Sequence, residues 1–147
     1  MILDDIKEKL PFMKKIKVYA FVGPSGTGKS YRAQMVAGEK GTHFIIDDGL
    51  LIKDNEVVAG ESAKKAETKV ATVKHALFYE DSEKETITKA LKKYKPDSIL
   101  ILGTSDGMVQ KIAANLGLPP VSDTTYITDV ATQKEMETAR RIRVTEG

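Results

Sequence analysis

The chain alternates between short, nearly continuous apolar runs and longer segments in which apolar residues recur every three or four positions. Unbroken runs of this length are typical of parallel strands that are buried on both faces. They predict strands at 18–22, 43–49 and 98–102. A weaker strand is predicted at 126–130, and a small hairpin of 50–53 and 57–59 is predicted to turn at Asp54 and Asn55.

Helical spacing of apolar residues fills the segments between these runs. It predicts a short helix before Pro11, a helix from about Gly28 until Gly38 and Gly41, and helices at 62–79 and 106–116. A further helix carries the apolar stripe of Ile87, Leu91 and Tyr94. The last helix is predicted to begin at the capping box Thr132 to Glu135. Strands that alternate with helices imply an α/β fold. We expect three layers, with a mainly parallel sheet of four or five strands flanked by helices. We also expect a single domain over 1–147, compatible with the N-terminal part of a longer protein.

The segment after the first strand carries the most specific pattern in the sequence. Gly23-Pro24-Ser25-Gly26-Thr27-Gly28-Lys29-Ser30 fits the phosphate-binding loop that joins a buried strand to a helix. Its glycines let the backbone turn successive N–H groups toward an anion. Lys29 would reach the terminal phosphates, Ser30 would bind Mg²⁺, and the positive end of the helix would face the anion. The expected nucleotide-binding residues are Gly23, Pro24, Ser25, Gly26, Thr27, Gly28, Lys29, Ser30 and Tyr31.

This loop resembles those of the P-loop nucleoside triphosphatase superfamily. The string from Gly23 to Ser30 is similar to loops of both small-molecule kinases and AAA-type ATPases. The resemblance implies a P-loop NTPase fold with ATP and Mg²⁺ as ligands. The Asn-Lys-x-Asp motif with which GTPases recognise guanine is missing from the sequence, which favours ATP. The Leu-Ser-Gly-Gly-Gln signature of ABC-type ATPases is missing as well.

An acid pair, Asp47 and Asp48, ends the second buried strand and has the form of a Walker B element. Ligands of open α/β sheets gather beyond the C-terminal ends of the strands, so we expect this pair beside the loop. Asp47 would then hold Mg²⁺ together with Ser30, while Asp48 would orient or deprotonate the attacking nucleophile. Lys29 and the two acids are the expected catalytic residues. Alternatively, the acids and Gly49 form a polar turn that closes the strand.

The position of the acid pair bears on which class of P-loop protein this is. In AAA-type ATPases the pair falls much later, on a different strand, whereas only 17 residues lie between Lys29 and Asp47. An acid on the strand directly after the P-loop helix resembles the small-molecule kinases, in which it contacts the acceptor and accepts its hydroxyl proton. Such kinases usually carry an arginine-bearing lid segment, and no clear lid is visible in this sequence.

Further polar residues follow the third and fourth predicted strands at the same edge of the sheet. Thr104 or Ser105 would sense the γ-phosphate, and Asp106 would assist the metal. Ser and Asp are also favoured N-caps, so capping the next helix is the simpler interpretation of this segment. Asp129 is expected at the same edge, at the end of the weak strand.

Arginines cluster in the last predicted helix. Arg140, Arg141 and Arg143 would stabilise the transferred phosphoryl group, in cis or across a subunit boundary as an arginine finger. Cations near a helix C-terminus also complement the helix dipole without any part in catalysis, and we favour that interpretation.

Composition restricts the classes of binding partner that the protein is expected to have. The net charge of +2 is small and its signs are interspersed, which argues against nucleic acid as a partner. No apolar run exceeds five residues, far below the roughly 20 that span a bilayer, so no membrane segment is expected. The absence of Cys excludes disulfides and thiolate catalysis and is compatible with a cytoplasmic location. His43 and His75 have no second His at metal-ligand spacing, so no chemistry is assigned to them.

Three functions remain open at this point. The first is a Mg-ATP-binding NTPase that hydrolyses ATP in a regulatory or coupling role. The second is a small-molecule kinase that uses Asp47 or Asp48 as base toward a hydroxyl acceptor. The third is a non-catalytic switch whose loops around 49–61 order on nucleotide binding and present a surface to a protein partner.

Overall fold

The computed structural model describes residues 12–24, 26–61, 69–131, 135, 137–139 and 141. Several sequence predictions lie outside these residues. They concern the helix before Pro11, the loop residue Ser25, the first half of the helix at 62–79, the capping residue Thr132, and Arg140 and Arg143. Within the described ranges, no helix combines the length and apolarity that crossing a membrane requires.

Strands and helices alternate along most of the described chain. The strands are β1 (Lys17–Val22), β2 (Phe44–Asp47), β3 (Leu50–Lys53), β4 (Glu56–Gly60), β5 (Ser98–Gly103) and β6 (Asp123–Tyr126). The helices are α1 (Lys29–Lys40), α2 (Lys69–Ala76), α3 (Asp81–Tyr94), α4 (Asp106–Asn115) and α5 (Ile127–Val130). The three strong strand predictions and the helices around Ala33, Leu91 and Ile112 are confirmed.

The strands form one sheet in the order β4-β3-β2-β5-β1-β6. Its central part is parallel, since β1 pairs with β5 and β6, and β5 pairs with β2. The hairpin β3–β4 extends the sheet beyond β2 in antiparallel pairing. The predicted α/β fold with a mainly parallel sheet is therefore confirmed. The described part of the sheet has six strands rather than four or five, because both hairpin strands join it.

Both faces of the central strands are buried, which explains their unbroken apolar sequences. Successive residues of a strand point to opposite faces, so each strand contributes to two cores. On one face, under α3 and α4, lie Val18, Ala20, Val22, Ile46, Ile99 and Ile101. On the other face, under α1 and α5, lie Phe21, Ile45, Leu100 and Leu102. This arrangement produces the three predicted layers.

The predicted hairpin at 50–59 is confirmed with its turn. Lys53 pairs with Glu56, and the two residues between them, Asp54 and Asn55, have φ of 47° and 75°. Two consecutive residues with positive φ are the geometry of a type I′ turn, in which Asp and Asn are favoured. The short polar sequence alone therefore determined this turn.

The weak strand predicted at 126–130 is wrong in its position. β6 ends at Tyr126, and Ile127–Val130 form a single helical turn. The carboxylate of Asp129 accepts a hydrogen bond of 2.8 Å from the backbone N–H of Tyr126, which caps this turn. Ile127 is 2% exposed and packs into the core under α1. Pairing with β1 and this packing decided the boundary, and neither is visible in a local apolar pattern.

Replacing Leu91 by alanine is expected to lower the free energy of unfolding by about 2–5 kcal/mol, the usual range for large-to-small core substitutions. Leu91 is 0% exposed and anchors α3 to the larger core. Urea denaturation measures the change, and an unchanged denaturant slope would show that the native state kept its compactness. Lys89→Ala on the exposed side of α3 serves as control and should stay within about 0.5 kcal/mol. A loss below about 1 kcal/mol for Leu91→Ala would contradict the packing of α3.

Candidate functional site

The predicted phosphate loop lies between β1 and α1, at the C-terminal edge of the sheet. Gly28 is the N-cap of α1 and has φ of 92°, in the left-handed region. An L side chain costs roughly 1–2 kcal/mol in that region, so a glycine suits the position. The first N–H groups of a helix have no partners within the helix. The first N–H groups of α1 consequently lie at the loop, where an anion-binding site needs them.

Gly23 has a different reason to be glycine. Its backbone N–H donates to the carbonyl of Gly103 at 3.2 Å, which ties the start of the loop to the end of β5. A Cβ at this position would lie 2.7 Å from the Cβ of Ile127 and would overlap the rest of that side chain. The glycine therefore lets α5 pack directly against the loop.

The side chains of Lys29 and Thr27 turn back to the carbonyls of the loop. The Lys29 ammonium donates to the carbonyl of Gly23 at 2.6 Å and to that of Pro24 at 2.9 Å. The Thr27 hydroxyl donates to Pro24 at 2.6 Å, and Thr27 is 2% exposed. Lys29 thus places a positive charge at the loop. Because the side chain of Thr27 is engaged within the loop, only the backbone of Thr27 is available to contact a ligand.

Ser30 and Asp47 meet in space. The Ser30 hydroxyl donates a hydrogen bond of 2.8 Å to the carboxylate of Asp47, the last residue of β2. A hydroxyl and a carboxylate beside a phosphate loop fit Mg²⁺, which prefers oxygen ligands and keeps several waters or phosphates in its shell. Among the described residues no cluster of three or more His, Cys, Asp or Glu is suited to a metal. The Ser30 hydroxyl and the Asp47 carboxylate are therefore a pair of oxygen donors that the structure brings together beside the loop.

Asp48 occupies a turn that the sequence analysis offered only as an alternative. Asp47 pairs with Leu50, and the residues between them, Asp48 and Gly49, have φ of 53° and 84°. Asp-Gly is among the strongest signals for a type I′ turn, so the pair joins β2 to β3 as a hairpin. The two acids consequently have different settings, Asp47 at a strand end and Asp48 in a turn. Both line the same cavity.

A cavity of about 1250 Å³ opens in front of the loop. On the loop side it is lined by Gly26, Thr27, Gly28, Lys29, Ser30, Tyr31 and Arg32. The rest of the described lining comes from the acid pair, the end of β5 and one face each of α2 and α4. It also includes Glu135, Thr138 and Ala139. Of the predicted nucleotide-binding residues, Gly23 and Pro24 are not part of this lining, and the lining residue Tyr31 is 87% exposed.

Residues 19–117 match the ATPase family associated with various cellular activities (AAA). This range covers more than half of the chain and includes the phosphate loop, the acid pair and the end of β5. The chain belongs to the AAA family. No curated protein and no solved structure matches it. Membership makes this AAA chain a P-loop protein of an ATP-binding NTPase family, as the resemblance of the loop implied.

Of the two resemblances of the loop, the family match supports the AAA one. The short sequence distance between Lys29 and Asp47 had weighed against an AAA-type protein. In the AAA chain, however, β2 does not lie beside β1, because β5 is inserted between them. Asp47 still reaches Ser30, since the ends of all three parallel strands meet at one edge. Sequence distance therefore indicated neither the strand order nor the family.

The polar residues predicted after β5 and β6 divide into two groups in the AAA chain. Ser105 is the N-cap of α4, and its hydroxyl accepts from the backbone N–H of Met108 at 3.1 Å, as the capping interpretation required. The Tyr126 hydroxyl donates to Asp106 at 2.8 Å, and this hydrogen bond raises the pKa of Tyr126. Asp106 and Asp129 thus make structural hydrogen bonds, whereas Thr104 and Ser105 line the cavity.

Arg32 is a cavity residue that the sequence analysis missed. It pairs with Glu135 and also donates to the carbonyl of Val130 at 3.2 Å. Through these contacts it joins α1 to the end of α5 and to Glu135. Its position one helical turn after Gly28 was the signal available in the sequence. Arg141, predicted as a possible finger, is exposed.

The apolar stripe of α2 is not covered as an amphipathic helix would suggest. Val70 and Val73 are 65% and 57% exposed, whereas Ala76 and Leu77 reach the core side. Polar contacts also hold the helix. The two ring nitrogens of His75 face the carbonyl of Glu61 and, at 2.8 Å, the carboxylate of Glu83.

Proposed function

We propose that this protein hydrolyses Mg-ATP and uses the reaction in a regulatory or coupling role. The hydrogen bond of 2.8 Å between Ser30 and Asp47, at the mouth of a phosphate loop, is the observation that carries the proposal. It unites a loop oxygen with a carboxylate from another strand in the arrangement that a nucleotide-bound Mg²⁺ needs. Family membership supports ATP as the nucleotide.

The residues have separate tasks in this proposal. The loop N–H groups and Lys29 bind the phosphates and compensate their charge. Ser30 and Asp47 orient the metal, which when bound supplies charge neutralisation at the transferred phosphoryl group. Asp48 accepts a hydrogen bond from the attacking water and aligns it with the γ-phosphate. Thr104, on the neighbouring strand end, is placed to contact the same phosphate.

A small-molecule kinase is the second candidate, because the cavity continues past the acids along an apolar wall that an acceptor could occupy. The switch hypothesis has less support. It expects loops around 49–61 to order on nucleotide binding, whereas Leu50–Lys53 and Glu56–Gly60 are already strands of the sheet. Incubation with ATP alone separates the two enzymatic candidates, since an ATPase releases phosphate without an acceptor and a kinase needs one.

Replacing Asp48 by asparagine is expected to lower the rate of phosphate release about 10²–10⁴-fold, the range attributed to a positioned acid or base. Asparagine tolerates the positive φ of this turn, so the hairpin should persist while the charge is lost. Single-turnover phosphate release measures the effect. Asp54→Asn is a matched control, because Asp54 holds the same place in the other type I′ turn and lies outside the cavity lining. Equal rates for both variants would contradict the role of Asp48.

The proposal includes two statements that rest on the sequence. The absence of Cys is compatible with a cytoplasmic location, and length and element order support one P-loop domain over 1–147. Limited proteolysis tests the second statement, since one domain should yield a single resistant core. A protein partner for the coupling role belongs to the same proposal, and copurification in the presence of Mg-ATP would identify it.

A further inference from the structure

The cavity is larger than a single small ligand requires. Pockets for small molecules typically measure about 300–1,000 Å³, whereas this cavity measures about 1250 Å³. Its lining also changes character along its length. The loop side is polar and suits phosphates, but beyond the acids the walls come from α2 and α4 and are mainly apolar. A polar surface and a mainly apolar surface therefore adjoin each other in one cavity.

The apolar wall is formed by two helices. Val73 and Leu77, one turn apart on α2 and the residue that follows it, line the cavity together with Met108 of α4. Val73 is 57% exposed although it is a branched apolar residue, because its side chain borders open cavity. Such a wall gains free energy from contact with an apolar group, roughly 25 cal/mol for each Å² removed from water.

A cation lies at the edge of this wall. Lys111 lines the cavity from α4, one turn after Gly107 and on the same face. Lys111 makes no ion pair with any other residue that the structure describes. An ammonium beside an apolar surface recognises a ligand with an anionic group on an apolar body.

The wall is fixed in place before any ligand arrives. The side-chain amide of Asn115 donates to the carbonyl of Leu77 at 2.8 Å and links the ends of α2 and α4. His75 contacts the carbonyl of Glu61 and the carboxylate of Glu83, which ties α2 to the end of β4 and to α3. A preformed wall lowers the entropic cost of binding.

We infer that the part of the cavity between α2 and α4 is a second subsite for a small amphiphilic anion, a molecule with an aromatic or aliphatic body and one carboxylate, sulfonate or phosphate. Its body packs on Val73, Leu77 and Met108, and its anion pairs with Lys111. The inference rests on the proposed function in one respect, because the subsite adjoins the place of the γ-phosphate. A ligand there would contact the acid pair and so adjust ATP turnover.

The chemistry can be probed with anilinonaphthalene sulfonate, an aromatic anion whose fluorescence rises on binding. We expect one site per chain, with the dissociation constant raised about tenfold by Lys111→Gln and by Val73→Asp. The neutral analogue phenylnaphthylamine should lose affinity with Val73→Asp but change less than about threefold with Lys111→Gln. Lys89→Gln on α3 is the control. Both substituted residues are exposed, so the fold should tolerate them.

If either variant leaves the affinity for the anionic probe unchanged, the subsite is refuted. Saturating Mg-ATP provides a second arm, because two separate positions predict that the probe still binds within about threefold of its original affinity. Complete displacement by Mg-ATP would show a single ligand position and would overturn the inference. Calorimetry with ATP and without the probe tests the proposed function independently of the subsite. Failure of ATP to bind refutes the proposed function, while the Lys111 and Val73 results continue to decide the subsite.

Discussion

Lys29→Ala is expected to weaken ATP binding by roughly 30-fold to several thousand-fold, which corresponds to the 2–5 kcal/mol lost when one partner of a buried charge pair is removed. The ammonium is held at the loop by the carbonyls of Gly23 and Pro24 at 2.6 and 2.9 Å, so its charge is positioned before the phosphates arrive. Alanine removes this charge but is compatible with the first turn of α1. Isothermal titration with Mg-ATP measures the loss directly.

The matched control for this prediction is Lys89→Ala, which removes an equal charge from α3. Lys89 is exposed and is paired with Glu85 at 3.3 Å, outside the cavity lining. Its affinity for ATP should equal that of the wild type. Thermal unfolding of both variants shows whether either lost its fold. If folded Lys29→Ala binds ATP as tightly as the wild type, the nucleotide does not bind at this loop.

Asp47→Asn is expected to weaken the metal dependence of the reaction, raising the Mg²⁺ concentration for half-maximal turnover by about 10–100-fold. The asparagine side-chain carbonyl can still accept the hydrogen bond from Ser30, so the contact between β2 and α1 is retained while the charge is lost. Phosphate release is measured across a Mg²⁺ titration at saturating ATP. The substitution should change the affinity for metal-free ATP less than it changes the Mg²⁺ dependence, because Asp47 contacts the nucleotide only by way of the bound cation.

Two further variants make this prediction specific. Ser30→Ala removes the other proposed oxygen donor and should shift the Mg²⁺ dependence in the same direction. Asp54→Asn removes an equal charge at the opposite edge of the sheet, where Asp54 pairs with His43 at 2.8 Å, and should leave the Mg²⁺ titration unchanged. Identical titrations for Asp47→Asn and the wild type would rule out Asp47 as a metal ligand.

The parts of the fold that the sequence predicted well are those governed by neighbours along the chain. The unbroken run at 98–102 indicated a strand covered on both faces, and Ile99 to Leu102 are indeed buried at 2% or less. Asp54 and Asn55 indicated a two-residue turn because few residue types tolerate two successive positive φ angles. The helix that carries Ile87 and Leu91 was also predicted correctly, because the spacing of its apolar residues is visible within one short segment.

The errors arose where contacts distant in the sequence compete with local patterns. The apolar residues at 126–130 suggested a strand, yet β6 follows its partner β1 only as far as Tyr126. The apolar stripe of α2 suggested a covered face, yet Val73 borders a cavity, since no described element packs over it. The short distance between Lys29 and Asp47 weighed against an AAA-type protein, but strand order is independent of sequence distance, and the family match supports AAA.

By itself the sequence determined that a phosphate loop follows a buried strand and opens a helix. The reason is that glycines, a lysine and a hydroxyl at fixed spacing are required by backbone geometry and charge within one short segment. Only the tertiary structure decided which acid meets that loop. Asp47 and Asp48 are adjacent in the sequence, but strand pairing directs Asp47 to Ser30 and places Asp48 in a hairpin turn. The wall beyond them, with Val73 and Lys111, exists because α2 and α4 converge in space from distant parts of the chain.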